Sequence, residues 1–305
     1  MTAQELALHA EAALGAADVH LGQGTLSLRD EAVWLVLAAL GQPLDAFDDI
    51  ASQPLDAAQQ AAVHDLLQRR ITTRQPLAYL TGEAWLQGVP FYSDARSIVP
   101  RSLIAELIAD GGFDAWLGDN TRRVLDLCTG NASLAVLAAM AWPDVSVVGC
   151  DLSADALALG ARNVQRHDLQ GRVTLRQGDL LDPVRADGPF DLVLCNPPYV
   201  CQDSMDRLPP EFRAEPRLAL DGNPHDHAPP AQRDGMDILR RALPALPALM
   251  SPQAVLVLEI GHEIGHFVRA FPGLPAIGLP TSAGEEQVLL LTRGDLAGGH
   301  DNASA

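Results

Sequence analysis

The chain has 305 residues, of which 48% are hydrophobic and 20% are charged, so it can form a packed globular protein of one large domain or two. It carries 39 acidic residues against 21 basic ones, and because none of the basic residues is lysine, Schiff-base, pyridoxal-phosphate and phosphate-loop lysine chemistry are excluded. The formal net charge of -18 also argues against duplex nucleic acid as the main ligand, since phosphate contacts require a basic face.

The first 90 residues or so have a mainly helical pattern. One helix is predicted over residues 30–40 and a second over about 55–70, with glycine and proline as boundary signals. Residues 76–92 are expected to form a hairpin-like extended segment that leads out of this part. The pattern predicts a small N-terminal helical domain over residues 1–95 and a second domain over residues 96–305.

Beyond residue 123, short apolar runs alternate with helical patterns. The predicted strands cover residues 124–127, 145–149, 173–175, 190–194 and 254–260, and the predicted helices cover residues 134–142, 154–166 and 238–249. This alternation predicts βαβ units and a parallel, doubly wound sheet of the α/β class. Pro244 and Pro247 are expected to bend or break the last helix. A final run over residues 287–292 follows 276–279 across a polar turn, which indicates an antiparallel edge hairpin.

Few features of the sequence bear on location. The first residues lack the basic-then-apolar pattern of a signal peptide, and no apolar run reaches membrane-spanning length. The four cysteines form no CxxC pair. We therefore expect a soluble, cytoplasmic protein with no membrane partner.

Three predicted strands end in acidic residues that suit a nucleoside. The first ends in Asp126-Leu-Cys-Thr-Gly130, directly before a helix, and this single glycine falls short of the G-x-G-x-x-G pattern of a dinucleotide site. Asp151 ends the second strand, where it can accept both ribose hydroxyls, and Asp179-Leu180 follows the third, where it can flank an adenine. Any one of these acids could be an ordinary loop residue, but in register they favour an adenosyl ligand.

The fourth strand ends in Asn196-Pro-Pro-Tyr199. Two prolines directly after a buried strand stop its hydrogen-bond ladder and fix a rigid turn. That turn aims the Asn side-chain oxygen and a main-chain carbonyl at one point, with an aromatic ring above it, which suits a planar NH2 group. Taken alone, the same four residues would also suit a simple turn or a proline-rich docking motif.

Asp126–Gly130, Asp151, Asp179 and Asn196–Tyr199 together resemble the class I S-adenosylmethionine-dependent methyltransferases that modify planar amino groups. Further segments are similar to the protein-glutamine methyltransferases, and closest to the branch that acts on large-subunit ribosomal protein L3; they cover residues 31–37, 78–85, 99–107 and 208–220. The release-factor branch typically has Pro-Arg-Pro where this chain has Pro100-Arg101-Ser102.

The resemblance implies a Rossmann-like, mostly parallel seven-stranded sheet that transfers a methyl group from S-adenosylmethionine, without a metal, to a glutamine amide nitrogen. The implied partner is ribosomal protein L3, or alternatively a release factor, and the helical domain over residues 1–95 is expected to select this protein substrate. The sequence is also compatible with an adenine or guanine amino methyltransferase and with a non-catalytic ribosome-assembly binder, although the acidic charge disfavours direct nucleic-acid binding. Carried onto this chain, the catalytic residues are Asn196, Pro197 and Tyr199. The cofactor-binding residues are Asp126, Cys128, Thr129, Gly130, Asn131, Ala132, Asp151, Asp179, Leu180 and Asn196.

Three features depart from the family pattern or compete with it. Ala132 stands where the family usually has a second glycine, which is tolerable if its φ stays negative. Residues 221–233, rich in proline and histidine, are expected to form a surface loop. His262-Glu-Ile-Gly-His266 matches the H-E-x-x-H zinc-protease pattern, but the turns that follow supply no third ligand, and only Glu285 or Glu286 lies at a possible distance. We therefore assign no metal to the reaction.

Overall fold

The computed structural model describes residues 1–223 and 233–298, so most of the loop predicted over residues 221–233 lies outside the described residues. The helices are α1 (Ala3–Ala16), α2 (Leu28–Ala39), α3 (Phe47–Ile50), α4 (Ala57–Thr73), α5 (Leu77–Thr81), α6 (Ile104–Asp110), α7 (Ser133–Ala141), α8 (Ala154–Arg166), α9 (Gln202–Asp206), α10 (Pro210–Arg213), α11 (Asp237–Ala242), α12 (Ile264–Ala270) and α13 (Arg293–Gly298). The strands are β1 (Glu83–Leu86), β2 (Val89–Tyr92), β3 (Arg123–Leu127), β4 (Ser146–Asp151), β5 (Val173–Gln177), β6 (Phe190–Cys195), β7 (Met250–Glu259), β8 (Ile277–Gly278) and β9 (Val288–Thr292).

The N-terminal helices begin where the sequence supplies caps. A capping box between Thr2 and Glu5 opens α1, and one between Asp56 and Gln59 opens α4. The apolar faces of α1, α2, α4 and α5 pack into a core of their own. Both helices predicted for this part are present, and the domain boundary near residue 95 stays a prediction.

One part of the segment predicted as extended is helical instead. Residues 83–92 do form an antiparallel hairpin of β1 and β2, but Leu77–Thr81 form the short helix α5. Pro76, with its φ of -51°, leads the chain into this helix, and Gly82, with a left-handed φ of +76°, ends it. These two residues therefore bound a helical turn that the extended prediction missed.

The central sheet has the strand order β5-β4-β3-β6-β7-β9-β8, in which β9 alone runs antiparallel to its neighbours. Helices cover both faces, with α6, α7 and α8 on one core and α11, α12 and α13 on the other. This arrangement confirms the predicted Rossmann-like class I fold, including the antiparallel hairpin at its edge.

Proline breaks one helix as predicted. The helix α11 ends at Ala242, and residues 246–249 form a separate 3₁₀ turn before β7. Within the part of the chain that the structure describes, no helix is both long enough and apolar enough to span a bilayer.

The carboxyl ends of three central strands meet at one edge of the sheet. Leu127 of β3 lies opposite Cys150 of β4 on one side and Cys195 of β6 on the other. The strand order reverses at β3, since β4 continues the sheet in one direction and β6 in the other. In a sheet of this kind the ligand crevice lies outside such an edge.

Candidate active site

Two cavities meet above this edge of the sheet. The first, here called the inner cavity, is lined by Gly130, Asp151 and Leu180 among others. The second, here called the outer cleft, is lined on its far side by Tyr199 and by the segment from Leu208 to Phe212. Each encloses roughly a thousand cubic ångströms when open space out to the mouth is counted, about 1050 Å³ and 1040 Å³. Among the described residues, three line both cavities, and they are Ile98, Asn196 and Ala219.

The predicted cofactor-binding residues fall into two groups, those that line the inner cavity and those that do not. Six of them line the inner cavity, namely Cys128, Gly130, Asp151, Asp179, Leu180 and Asn196. The other four are not among its lining residues, and they are Asp126, Thr129, Asn131 and Ala132. Except for Thr129, which is 6% exposed, each member of the second group has at most 3% of its surface exposed, so all four support the loop from behind.

Asp126 holds the loop to the helix that follows it. Its Oδ2 accepts hydrogen bonds from Thr129 Oγ1 at 2.5 Å and from the Ala135 backbone N at 3.0 Å. Burial raises the pKa of this carboxyl to about 7, although both hydrogen bonds act in the opposite direction. These contacts place Asp126 beneath the cavity, and its predicted role in cofactor binding stays a prediction.

Ala132 has a left-handed backbone, with a φ of +63°, so the negative φ that was the condition for an alanine at this position is not met. The loop needs this conformation to turn from β3 into α7, and the neighbouring Cys128 and Gly130 have positive φ values as well. Gly160 of α8 faces the Ala132 methyl, since a Cβ built on Gly160 would lie 3.2 Å from it. The glycine that leaves space at this contact is therefore Gly160 on the opposing helix, and not the residue at position 132.

Asp151 is fixed by the backbone on both of its oxygens. Oδ2 accepts a hydrogen bond from Gly130 N at 2.9 Å, and Oδ1 accepts one from Ser153 N at 2.8 Å. Burial raises the pKa of the carboxyl above its usual value, and these hydrogen bonds oppose that shift. A carboxylate can accept about four hydrogen bonds, so Asp151 retains acceptor capacity toward the inner cavity, where a diol could bind.

Asp179 and Leu180 lie at the rim of the inner cavity. The Asp179 carboxylate accepts a hydrogen bond from the guanidinium of Arg241 in α11, and both side chains are partly exposed. Leu180 has a φ of +49°, and its carbonyl accepts a weak hydrogen bond from Cys150 Sγ at 3.4 Å. The rim thus combines an ion pair with an apolar side chain on a turn.

The Asn196–Tyr199 corner is held from below by Glu259 at the end of β7. Tyr199 Oη donates to Glu259 Oε1 at 3.5 Å, and Ser102 Oγ donates to Oε2 of the same carboxylate at 2.5 Å. Burial and the nearby Glu259 charge raise the pKa of Tyr199, so its phenol stays protonated. Gly261 makes room for the ring, because a Cβ there would lie 2.7 Å from Tyr199 Oη.

The comparisons with known proteins agree with this geometry. A family model described as a methyltransferase small domain matches residues 113–215. Over 297 residues the chain is 48% identical to the ribosomal protein uL3 glutamine methyltransferase of Bordetella pertussis, with 97% of this chain and 96% of that protein covered. The proteins of the same name from Burkholderia pseudomallei and Bradyrhizobium diazoefficiens are each 41% identical, with 97% and 92% of this chain and 95% and 87% of those proteins covered.

The chain belongs to the ribosomal protein uL3 glutamine methyltransferase family. The resemblance drawn from Asn196–Tyr199 and the N-terminal segments is thereby confirmed, as is the prediction of a methyltransferase. The roles of individual site residues, the absence of a metal and the cytoplasmic location stay predictions.

Three charged residues that shape the outer cleft of this methyltransferase were given no role by the sequence pattern. Arg101 lines the cleft, with its guanidinium 5.4 Å from the centre of the Phe212 ring, and donates to both oxygens of Glu215 at 2.5 Å and 2.8 Å. Glu215 also accepts the Val99 backbone N–H, and Glu259 accepts that of Leu103 at 2.9 Å. These partners lie between 114 and 157 residues apart in the sequence, so local pattern gave no signal for them.

The N-terminal helices hold the same cleft wall of the methyltransferase through a buried charge network. Glu211 of α10 is fully buried and lies 2.7 Å from Arg74 Nε and 3.7 Å from Arg70 NH1. Its Oε1 also accepts the His20 backbone N–H at 3.2 Å, while Arg70 donates in turn to Glu31 at 2.6 Å. The segment that carries Leu208 to Phe212 is therefore fixed by residues of α2 and α4.

Proposed function

We propose that this protein methylates the side-chain amide nitrogen of a glutamine in ribosomal protein uL3, with S-adenosylmethionine as the methyl donor. The observation that carries the proposal is the position of Asn196, which lines both the inner cavity and the outer cleft. A methyl donor in the one and a glutamine in the other would meet at this residue. The relatives named for this reaction support the same substrate class.

The residues of the inner cavity fit an adenosyl methyl donor. Asp151 would accept the ribose hydroxyls, and Leu152 and Leu180 offer apolar surface for the adenine. Gly130 brings backbone close to the ligand, because a Cβ there would already lie 2.9 Å from Ser97 Oγ. When bound, S-adenosylmethionine supplies an electrophilic methyl group at the Asn196 side of the cavity.

The corner at Asn196 would supply what an amide nucleophile lacks. An amide nitrogen reacts poorly because its lone pair is delocalised into the carbonyl group. Hydrogen bonds from the glutamine NH2 to Asn196 Oδ1 and to the Pro197 carbonyl oxygen would orient that lone pair and stabilise the positive charge that develops on nitrogen. Preorganised groups of this kind contribute about 3–4 kcal/mol in favourable sites.

Tyr199 would act by packing and not by proton transfer. Its raised pKa keeps the phenol protonated, and its hydroxyl is already directed to Glu259. The ring is therefore held in one orientation, where its face can pack on the planar amide. The product can lose its proton to solvent after the transfer, so no side-chain base is required.

Substrate selection would belong to the outer cleft and to the N-terminal part that supports it. The Arg70–Arg74–Glu211 network couples the N-terminal helices to the cleft wall, which supports the predicted substrate-selecting role of residues 1–95. The net charge of -18 would also attract a positively charged protein over long range.

The direct test is incubation of a methyl-deficient cell lysate with the protein and labelled S-adenosylmethionine, followed by mass mapping. We expect the label on a glutamine of uL3, and the Asn196→Ala variant, as a control, should label uL3 about a hundredfold or more slowly. Label in a release factor or in RNA would replace the proposed substrate, and label in no macromolecule would refute the proposed activity.

A further inference from the structure

The structure brings together three potential metal ligands beside the outer cleft. One ligand atom each from Cys201, Glu263 and His266 lies within 4.8 Å of the other two. Cys201 follows Tyr199 by two residues, whereas Glu263 and His266 come from the H-E-x-x-H segment after β7. The cluster therefore joins two residues of this segment to a cysteine some sixty residues upstream, and it contains neither Glu285 nor Glu286.

The arrangement differs from that of a zinc protease, in which the two histidines are ligands and the glutamate is a base. His262 lies in a 3₁₀ turn with Glu263, whereas His266 lies in α12. His262 Nε2 lies 3.3 Å from Glu263 Oε1, and its side chain is 66% exposed. Glu263 and His266 are therefore the two members of the segment that join Cys201.

Glu263 and His266 face one another in the cluster, whereas Cys201 Sγ donates a hydrogen bond to Ser204 Oγ at 3.3 Å. Glu263 Oε1 accepts hydrogen bonds from Cys201 N at 3.3 Å and from Ser204 Oγ at 3.1 Å. Glu263 Oε2 instead faces His266 Nε2 at 3.7 Å, beyond hydrogen-bond distance. His266 Nδ1 is also buried without a hydrogen-bond partner among the described residues. The imidazole is thus free of competing hydrogen bonds in this part of the chain.

These distances suit a tetrahedral ion. Zinc bonds to oxygen, nitrogen and sulfur are roughly 2.0–2.3 Å long, so neighbouring ligand atoms in a tetrahedral site lie roughly 3.3–3.8 Å apart. The separation between Glu263 and His266 already falls in that range. Cys201 needs a movement of about 1.5 Å at most, which is the difference between the 4.8 Å limit of the cluster and the lower end of that range.

We propose that Cys201, Glu263 and His266 bind one zinc ion, with the fourth position open to water. On binding, the Cys201 S–H bond breaks, the proton passes to solvent and a zinc–thiolate bond forms. His262 is a positioning residue here, because its contact with Oε1 orients the carboxylate whose Oε2 would ligate. The ion would join the loop after Tyr199 to α12, next to Ser204 and His262, which line the outer cleft.

The test is metal binding by the full-length chain, freed of any affinity tag and treated with a chelator. Calorimetry with zinc should give one ion per chain, with a heat that depends on the buffer because a thiol proton is released. Cobalt in place of zinc should give a thiolate-to-metal absorption band. Cys201→Ser should abolish that band and weaken zinc binding by tenfold or more, and His266→Gln should weaken it similarly.

A second pair of histidines provides the matched control. The rings of His9 and His64 lie 5.6 Å apart at the surface of the N-terminal helices. His64→Gln should leave zinc binding and the cobalt band unchanged. The proposal is overturned if the parent chain binds no stoichiometric zinc, if Cys201→Ser and His266→Gln bind it as tightly as the parent, or if His64→Gln removes it. Melting temperatures in the presence of chelator establish that each variant is folded. If Cys201→Ser does not fold, Cys201→Ala takes its place.

Discussion

The inner cavity and the outer cleft are built in different ways. The inner cavity is formed by backbone turns at strand ends, where Cys128, Gly130 and Leu180 have positive φ values and Asp151 is fixed by two backbone N–H groups. The outer cleft is formed by side chains, through carboxylates of Glu211, Glu215 and Glu259 that join segments distant in the sequence. The inner cavity therefore depends on local chain geometry, whereas the outer cleft depends on contacts of buried carboxylates with residues distant in the sequence.

The largest effect should come from the charge pairing of the cleft wall. Glu211→Gln leaves the buried Arg70 and the half-buried Arg74 without their shared carboxylate, and loss of one member of a buried ion pair costs about 3–5 kcal/mol. We expect a fall of that size in the free energy of unfolding and a raised KM for the protein substrate. Asp182→Asn, in the exposed pair with Arg185, should change stability by less than about 1 kcal/mol. Equal losses of stability in the two variants would contradict the claim that the buried ion pairs of the cleft wall stabilise the protein more than an exposed pair does.

The next effect should separate catalysis from donor binding. Asn196→Ala removes one of the two acceptors for the amide, so we expect kcat to fall by about 10²–10³-fold. The affinity for S-adenosylmethionine, measured by calorimetry, should remain within a few-fold of the parent. A variant with parental turnover would show that the corner does not hold the nucleophile.

A smaller effect is expected from a change in the inner cavity, and it should fall on cofactor affinity and not on turnover. Asp151→Ala removes a charged acceptor, and hydrogen bonds to charged groups contribute about 1.5–3 kcal/mol. The affinity for S-adenosylmethionine should therefore fall by about ten- to a hundredfold, while KM for the protein substrate changes little. The idea fails if calorimetry gives the parental affinity.

The smallest effect concerns backbone strain. Ala132→Gly should stabilise the protein by about 1 kcal/mol, because a left-handed φ is unfavourable for alanine and not for glycine. Ala135→Gly in the regular helix α7 is the matched control, and it should destabilise by about 0.5–1 kcal/mol. Urea unfolding of both variants measures the sign of each change in the free energy of unfolding. Two changes of the same sign would contradict the assignment of strain to Ala132.

The same contrast explains how far the sequence could be interpreted. Strands β3 to β7, the break after α11 and the edge hairpin followed from periodicity and proline placement, and Asn196–Tyr199 followed from its position at a strand end. Helix α5 was missed because Pro76 can lead into either an extended chain or a helix, and only Gly82 in its left-handed form ends the helix. The φ of Ala132 could not be inferred, because the space for its methyl is provided by Gly160 on another helix.

Ion pairs and hydrogen bonds between residues distant in the sequence could not be predicted. In the sequence, Arg101 and Ser102 only distinguish the ribosomal-protein branch from the release-factor branch. In the structure, Arg101 pairs with Glu215 and Ser102 donates a hydrogen bond to Glu259. A proline at position 102 would have no hydroxyl for that second bond. The residue that distinguished the branches in the sequence thus lies beneath Tyr199, a relation that only the folded chain reveals.

The most direct test of the central claim is a crystal structure with S-adenosylhomocysteine and a glutamine-containing uL3 peptide bound together. We expect the sulfur in the inner cavity, the peptide in the outer cleft and the glutamine amide nitrogen about 2.7–3.2 Å from Asn196 Oδ1. A glutamine bound elsewhere on the molecule, with Asn196 turned away from both ligands, would contradict the account.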